Sequence, residues 1–457
     1  MTPGRRSALV GAVATFAVFT VLAGQFWRNL LGWWGFAAVV AVVVTGAVWL
    51  LITTRPAWSW RRVPKSTLAF LGIATLSIAW SAYPAASTLG VAIVLVTAFV
   101  AITLPLCVSW DRLVISIANA VKWVLGLSLV FEFVVAVFVR QPVTPLVPDF
   151  DAAEYERLPM AFYWSRALLL EGGPIEGIVG NRNLLGMVAL IGVIVFGGLL
   201  AAKAIRRGSG ITWLVVAGAT LLLTRSATVI LVTVLVAIAL GFALWARRRG
   251  PDRRRPVYLT GLLALVASVV ALVALWTPLT SLLGKSEDVT GRFEIWDAVI
   301  GLAAERPIAG WGWLGYWQPW ADPLGSLYTR NGVSYLQAHN AWLDVWLQLG
   351  VLGLVAFGAV VVGALWRSWF LAIDQPRDPA GRPRPYTAAS FVPFLLLIAL
   401  AGQSLAESRL LVEAGLLLLI TIAWATKQRQ WEPEPFPVEP ARTRYDRRPG
   451  PGAAIRR

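Results

Sequence analysis

The sequence predicts an all-α polytopic membrane protein with about 12 transmembrane helices, and three observations carry that expectation. Hydrophobic residues make up 58% of the 457 and charged residues only 14%, and mean hydropathy is +0.69, values outside the range of soluble domains. Apolar runs of roughly 17 to 25 residues, the length that crosses a hydrocarbon core of about 30 Å, recur along the whole chain. Lys and Arg gather between alternate runs, the asymmetry that fixes orientation in a bilayer.

Taken in order, a short basic start at Met1–Ser7 precedes a first span near Ala8–Ala23. Val21-Leu22-Ala23 resembles a signal-peptidase site, but a retained first helix is expected and cleavage would leave the later topology unchanged. Further spans are expected near Leu30–Ile52, Thr67–Trp80, Leu89–Leu106, Val121–Val139, Asn183–Ala202 and Ile211–Leu223. The last five fall near Ala227–Ala246, Val257–Trp276, Asn340–Trp366, Phe391–Ala406 and Leu410–Thr426. An even number of spans puts both termini on one side. With the N-terminus cytoplasmic, 28 of the 40 Lys and Arg lie in inner segments, so the net charge of +16 reads as a topology signal. The Arg247–Arg255 cluster and the Arg-rich tail are then topology anchors that meet anionic lipid, and no nucleic-acid partner is expected. Residues 1–426 form the transmembrane domain. Residues 427–457 read as a disordered cytoplasmic tail, rich in Pro, Arg and Gly from Trp431 onward.

Two predicted external loops are long, at about 140–182 and 277–339, and they place any active site on the outer face of a cell-membrane protein. The first carries Asp149, Asp151, Glu154, Glu156, Glu171 and Glu176 and ends in GNRN at 180–183. In the second, Glu294–Glu305 has helical periodicity and is expected to lie along the membrane surface. One cysteine, Cys107, and one histidine forbid an internal disulfide and exclude a structural zinc site.

The lone histidine, His339, stands directly before a long apolar helix. Its unperturbed pKa near 6.5 suits a group that takes and returns a proton at neutral pH; the alternative reading is a loop hydrogen bond or a cap for the following helix. Four outer arginines, Arg182, Arg225, Arg292 and Arg409, form a second constellation. Arg225 occupies a minimal turn between two apolar spans, where an unpaired cation is costly and functional by default. Several guanidinium groups suit a diphosphate, which they grip with forked, charge-assisted bonds; the alternative is pairing with Glu294, Glu407 or headgroups. Arg292 has an aromatic frame of Phe293 and Trp296. Trp311, Trp313, Trp317 and Trp320 cluster in a Gly/Pro-interrupted stretch, where they stack on sugars or seat the loop on the bilayer. Asp344, five residues past His339 on one helix, is about 140° round from it and makes a poor triad partner. The first outer loop, GQFWRN at 24–29, has no Asp or Glu, which argues against a metal-dependent mechanism.

On GNRN at 180–183, LLLTRSA at 221–227, GRFEIW at 291–296, PIAGWGW at 307–313 and HNAWLDVWLQLGVLG at 339–353, the chain resembles the O-antigen ligase and polymerase superfamily. The resemblance covers about residues 170–360, and the flanks by hydropathy alone. It implies a GT-C-like helical glycosyltransferase, inverting, metal-independent and without cofactor. The implied donor is a glycan on a polyprenyl diphosphate such as undecaprenyl diphosphate, and the acceptor a glycan, lipid or cell-wall anchor. Carried over by motif, His339 is the base, Arg292 grips the diphosphate, and Asn340 holds the histidine or the substrate. Arg225 stands in for a family arginine that follows the serine, from a shifted position, or the clamp uses Arg182 or Arg409 instead. Glu407, Trp296, Trp311 and Trp313 are supporting candidates. Competing readings are protein O-oligosaccharyl transfer, a flippase or transporter of polyprenyl-linked glycans, and a peptidoglycan polymerase of the shape, elongation and division type. The transporter reading leans on Lys122 and Glu132 within one span.

Overall fold

The computed structural model describes residues 3–147, 150, 158–274, 287–330, 333–376 and 382–430. Each of the twelve predicted spans is helical over most of its described residues, as expected where backbone groups surrounded by hydrocarbon must satisfy one another. In chain order these are α1 (Pro3–Leu22), α2 (Gly24–Thr54), α3 (Lys65–Leu76), α4 (Pro84–Cys107), α5 (Trp110–Val134), α6 (Arg182–Ala201), α7 (Arg207–Leu223), α8 (Ala227–Arg249) and α9 (Arg255–Ala274). After α10 (Glu287–Glu305), the helix expected between spans, come α11 (Ala341–Ile373), α12 (Val392–Ser404) and α13 (Glu413–Arg429). Seven of the described helices are long and apolar enough to cross a membrane by length and composition. Strand structure among the described residues is one small hairpin, Thr329–Arg330 against Val333–Ser334. The chain is an all-α polytopic membrane protein.

The boundaries differ from expectation in instructive places. The segment 24–29 is not an open loop but the first turns of α2, which breaks at Gly32 (φ +70). Residues 427–429, assigned to the tail, continue α13; residues 431–457 and the acids Asp149, Asp151, Glu154 and Glu156 lie outside the described residues. Glu132, which kept a transport pathway in view, anchors the first long loop. Fully buried in α5, it accepts from the backbone N–H groups of Glu176 (2.9 Å) and Gly177 (2.7 Å) and from the Ser165 hydroxyl (3.0 Å). Lys122 lies over the Phe196 ring, 5.9 Å from its centroid.

Helix pairs pack through small residues, which let backbones approach in the absence of a solvent-driven force. Gly192 of α6 faces Ala217 of α7 so closely that a Cβ on the glycine would lie 3.0 Å from the alanine methyl. Contacts tie described interhelical segments together at two ends of the bundle. At one end, Arg247 reaches the carbonyls of Ala372 and Thr387, and Arg254 pairs with Asp374 at 2.5 Å. At the other, residues 158–181 of the first long loop, the 224–226 turn, residues 287–330 and 333–340, and residues 404–412 meet.

That second end is organised by a break in α11 at Gly350 (φ +63). The broken turn frees backbone groups, and the 307–312 turn fills them: Val351 and Leu352 donate to Pro307 and Ile308, while Trp311 and Gly312 donate to Leu347 and Gln348. The approach is backbone to backbone. A Cβ on Gly350 would lie 2.1 Å from the Ile308 carbonyl oxygen, and one on Gly310 (φ +71) 2.4 Å from the Gln348 carbonyl carbon. Only glycine tolerates both the contact and the left-handed backbone.

Candidate active site

Three of the quoted motifs are helix N-termini. In GNRN the Asn181 side chain caps α6, accepting from the N–H groups of Asn183 and Leu184. In TRSA the Ser226 hydroxyl caps α8, and in HNAW the Asn340 side chain caps α11, accepting from Trp342 and Leu343. Ser, Thr, Asn and Asp are favoured there because their oxygens satisfy donors that the helix leaves open. Capping therefore belongs to Asn340, and His339 stands one residue outside the helix. His339 (φ +49) and Arg225 (φ +47), each directly before a cap, have left-handed backbone, a conformation disfavoured for side chains of this size and one that clusters at functional sites.

The centre where these termini meet is Glu407, 5% exposed. His339 Nδ1 lies 3.0 Å from its Oε2. Its Oε1 accepts from Arg292 at 2.9 Å and from Asn183 Nδ2 at 3.0 Å. Burial alone would push the Glu407 carboxyl up, but the charges of His339, Arg292 and Arg409 outweigh it and hold the group below the ordinary carboxylate range. Arg292 also donates to Thr228 Oγ1 at 3.4 Å, three residues past Arg225, so it bridges the 225–228 turn to Glu407. The Ser226 hydroxyl closes the ring by donating to Asn183 Oδ1 at 2.7 Å.

Asp344 sets the spacing of this site without joining it. Fully buried, it accepts from Trp317 Nε1 at 2.8 Å and the Ala338 N–H at 3.0 Å, and from the Ser408 hydroxyl and Gln348. It thereby ties the residue before His339 to the residue after Glu407. Asn340 adds two ties, its N–H to Ser408 Oγ and its side-chain amide to the Leu405 carbonyl. Trp296 steadies the approach by donating to the Ala338 carbonyl at 3.0 Å, and Tyr335 sets its ring edge-on to the imidazole, 5.8 Å between centroids.

The other candidates fall elsewhere. Arg409 is held by Glu413 at 2.6 Å, lies over the Tyr316 ring, and acts on Glu407 only through its charge. Glu413 also binds Arg28 at 3.0 Å, a pairing between the two sides of the site that sequence reading did not anticipate. Arg182 sits at the first turn of α6 with its charge near Glu176. Arg225 is exposed, beside Gly172 of the first long loop. Trp313 is fully buried against the edge of Phe70, so it has no face to offer a sugar. Trp311 donates to the Leu302 carbonyl and carries the Arg306 guanidinium on its ring, which makes it a fastener of α10. Among the described residues, no group of three His, Cys, Asp or Glu side chains is placed to hold a metal ion.

A buried carboxylate joining a histidine to an arginine, at the N-termini of three helices, combines a proton acceptor with a seat for anionic oxygen. Residues 212–358 match the O-antigen ligase family. The matched stretch contains Arg225, Arg292, His339 and Asp344, whereas Asn183 and Glu407 lie on either side of it. The chain is also 25% identical over 213 residues to the exopolysaccharide production protein ExoQ of Rhizobium meliloti (strain 1021). That alignment takes in 44% of this chain, and the chain spans about half, 48%, of the length of that curated relative. The resemblance to the O-antigen ligase and polymerase superfamily, read from short motifs, thus has the support of both a family match and a relative.

Proposed function

We propose that the protein is a membrane glycosyltransferase that moves a glycan from a polyprenyl diphosphate to an acceptor hydroxyl, as a surface-polysaccharide polymerase or ligase. The observation that carries this reading is the single node in which Glu407 holds His339 on one oxygen and Arg292 on the other. With its proton on Nδ1 and shared with Glu407, the imidazole offers the Nε2 lone pair to the acceptor hydroxyl. As the acceptor oxygen bonds to the anomeric carbon, its proton passes to Nε2. The bond to the diphosphate breaks with its electron pair on the leaving oxygen, and attack from the opposite face inverts the anomeric centre. Glu407 stabilises the imidazolium that forms.

Charge developing on the diphosphate is met by Arg292, with Arg225 close by in sequence on the segment Arg292 touches, and by the positive ends of α6, α8 and α11. These groups let the transfer proceed without a metal, on the external face of the cell membrane. The exopolysaccharide role of the Rhizobium relative supports a glycan acceptor over a protein acceptor.

The test is identification of the product formed by purified protein in liposomes from a labelled polyprenyl-diphosphate glycan, with candidate acceptors and chelator present. A β-linked product from an α-linked donor, or the converse, and free polyprenyl diphosphate are expected. Retained anomeric configuration, or transfer abolished by chelator, would contradict the mechanism.

A further inference from the structure

Glu407 alone does not decide which face of the imidazole is offered to substrate, because its own protonation and orientation need fixing. The hydrogen-bond chain behind it does this. Ser226 has one hydroxyl proton, and its oxygen already accepts from the Val229 N–H at 3.3 Å while capping α8. Its proton therefore goes to Asn183 Oδ1, 2.7 Å away. That contact turns the Asn183 amide so that Nδ2, a donor, faces Glu407 Oε1 at 3.0 Å. Glu407 then receives two donors on Oε1, Arg292 and Asn183, and remains an ionised acceptor whose Oε2 calls for a proton on His339 Nδ1.

We propose that Asn183 and Ser226 are positioning residues for the His339 base, acting through Glu407 to hold the imidazole as the Nδ1–H tautomer with Nε2 free. The inference rests on the reading of His339 as the base. It assigns the first helical turn of α6 a role that is separate from the diphosphate clamp. When Arg292 turns from Glu407 to a diphosphate, the Asn183 amide stays on Oε1 and keeps the carboxylate ionised. The charged and titratable groups around the pair are Arg292 from α10, Arg409 from the 408–411 turn, Tyr316, and Tyr335 against the imidazole edge. Arg28 and Glu413 lie behind Arg409 and Tyr316.

The sequence supplies a direct probe. His339 is the only histidine, so a protein made with ¹⁵N-labelled imidazole and without a histidine tag gives one pair of ring-nitrogen signals, which report tautomer and titration midpoint without turnover. The wild type is expected to show the Nδ1–H tautomer. Asn183→Asp places a second carboxylate beside Glu407 and is expected to raise the imidazole midpoint by at least about half a pH unit. Ser226→Ala frees the amide to turn and is expected to mix the tautomers, while Ser226→Thr restores the wild-type signal. The acid limb of kcat should move with the midpoint. Unchanged tautomer and midpoint in both Asn183→Asp and Ser226→Ala overturn the proposal, as does a loss of kcat with no shift of the acid limb, which is the signature of a merely structural role. Because the signals need no turnover, a wild type with the expected tautomer and no glycan transfer would instead tell against the proposed function.

Discussion

Glu407→Gln is the most informative single change, because it keeps the side-chain volume and removes the charge that Arg292 and the His339 imidazole share. The glutamine amide has one acceptor oxygen for three donors: its NH2 either opposes Arg292 and Asn183, donor against donor, or donates to His339 Nδ1 and drives the imidazole into the Nε2–H tautomer, which has no lone pair to offer the acceptor. A charge-assisted hydrogen bond contributes roughly 1.5–3 kcal/mol, and stripping a buried cation of its partner costs about 3–5 kcal/mol. Arg292 and His339 are both 20% exposed, so water compensates in part and the lower end applies, about 2–3 kcal/mol. If that loss falls on the transition state, where the imidazolium needs its counter-charge, kcat drops roughly 30- to 150-fold. The assay is the initial rate of glycan transfer from a purified lipid-linked donor, with unfolding followed in parallel by tryptophan fluorescence. A Gln variant with wild-type kcat and unchanged unfolding temperature would refute the assignment of Glu407 as the shared counter-ion.

The remaining predictions test its supports. Because Glu407 is held below the ordinary carboxylate range, its ion pairs stabilise the fold at pH above that range, and the contribution is lost as pH falls through the lowered value; thermal unfolding at pH 3–5 should show a loss that Glu407→Gln lacks. Glu176 behaves oppositely: burial pushes its carboxyl from 4.5 up to about 7 against the Arg166 charge, so its contribution is complete below 4.5 and is lost as pH rises through about 7. The unfolding temperature should therefore fall between pH 5 and 8 in the wild type and much less in Glu176→Gln. Asp344→Leu removes four hydrogen bonds from the segments beside His339 and Glu407; leaving those donors buried should cost at least about 3 kcal/mol, read as a lowered unfolding temperature, and an unchanged one would contradict its role. Gly350→Ala forces a Cβ onto the Ile308 carbonyl and a left-handed backbone on alanine, so loss of ordered 307–312 contacts is expected, seen as faster proteolysis of that turn.

The helices were legible because hydropathy alone specifies a span: each of the twelve apolar runs is helical over most of its described residues, and the boundaries differ where α2 begins at Gly24, α4 at Pro84 and α5 at Trp110, and where α13 runs on to Arg429. The site was legible as motifs but not as a geometry. GNRN, TRSA and HNAW each announce a helix start, since Asn181, Ser226 and Asn340 are cap residues, and the residue proposed to act lies one or two positions from each cap. What joins them is Glu407, 68 residues from His339 and 224 from Asn183, a distance over which no periodicity reports contact. Its position in a short polar turn, Glu407-Ser408-Arg409, between two apolar spans was the available signal. The tryptophan cluster misled for a physical reason: the break at Gly350 draws the glycine-rich turn into the bundle, so Trp313 and Trp317 are core residues in a stretch whose composition reads as loop.

The central claim is that one imidazole, oriented by one buried carboxylate, activates the acceptor. It is tested most directly by measuring transfer from a purified polyprenyl-diphosphate glycan by His339→Ala beside the wild type, in liposomes, after both are shown to unfold at the same temperature. Transfer by the alanine variant is expected to fall at least about a hundredfold while donor binding persists. Transfer at the wild-type rate would contradict it.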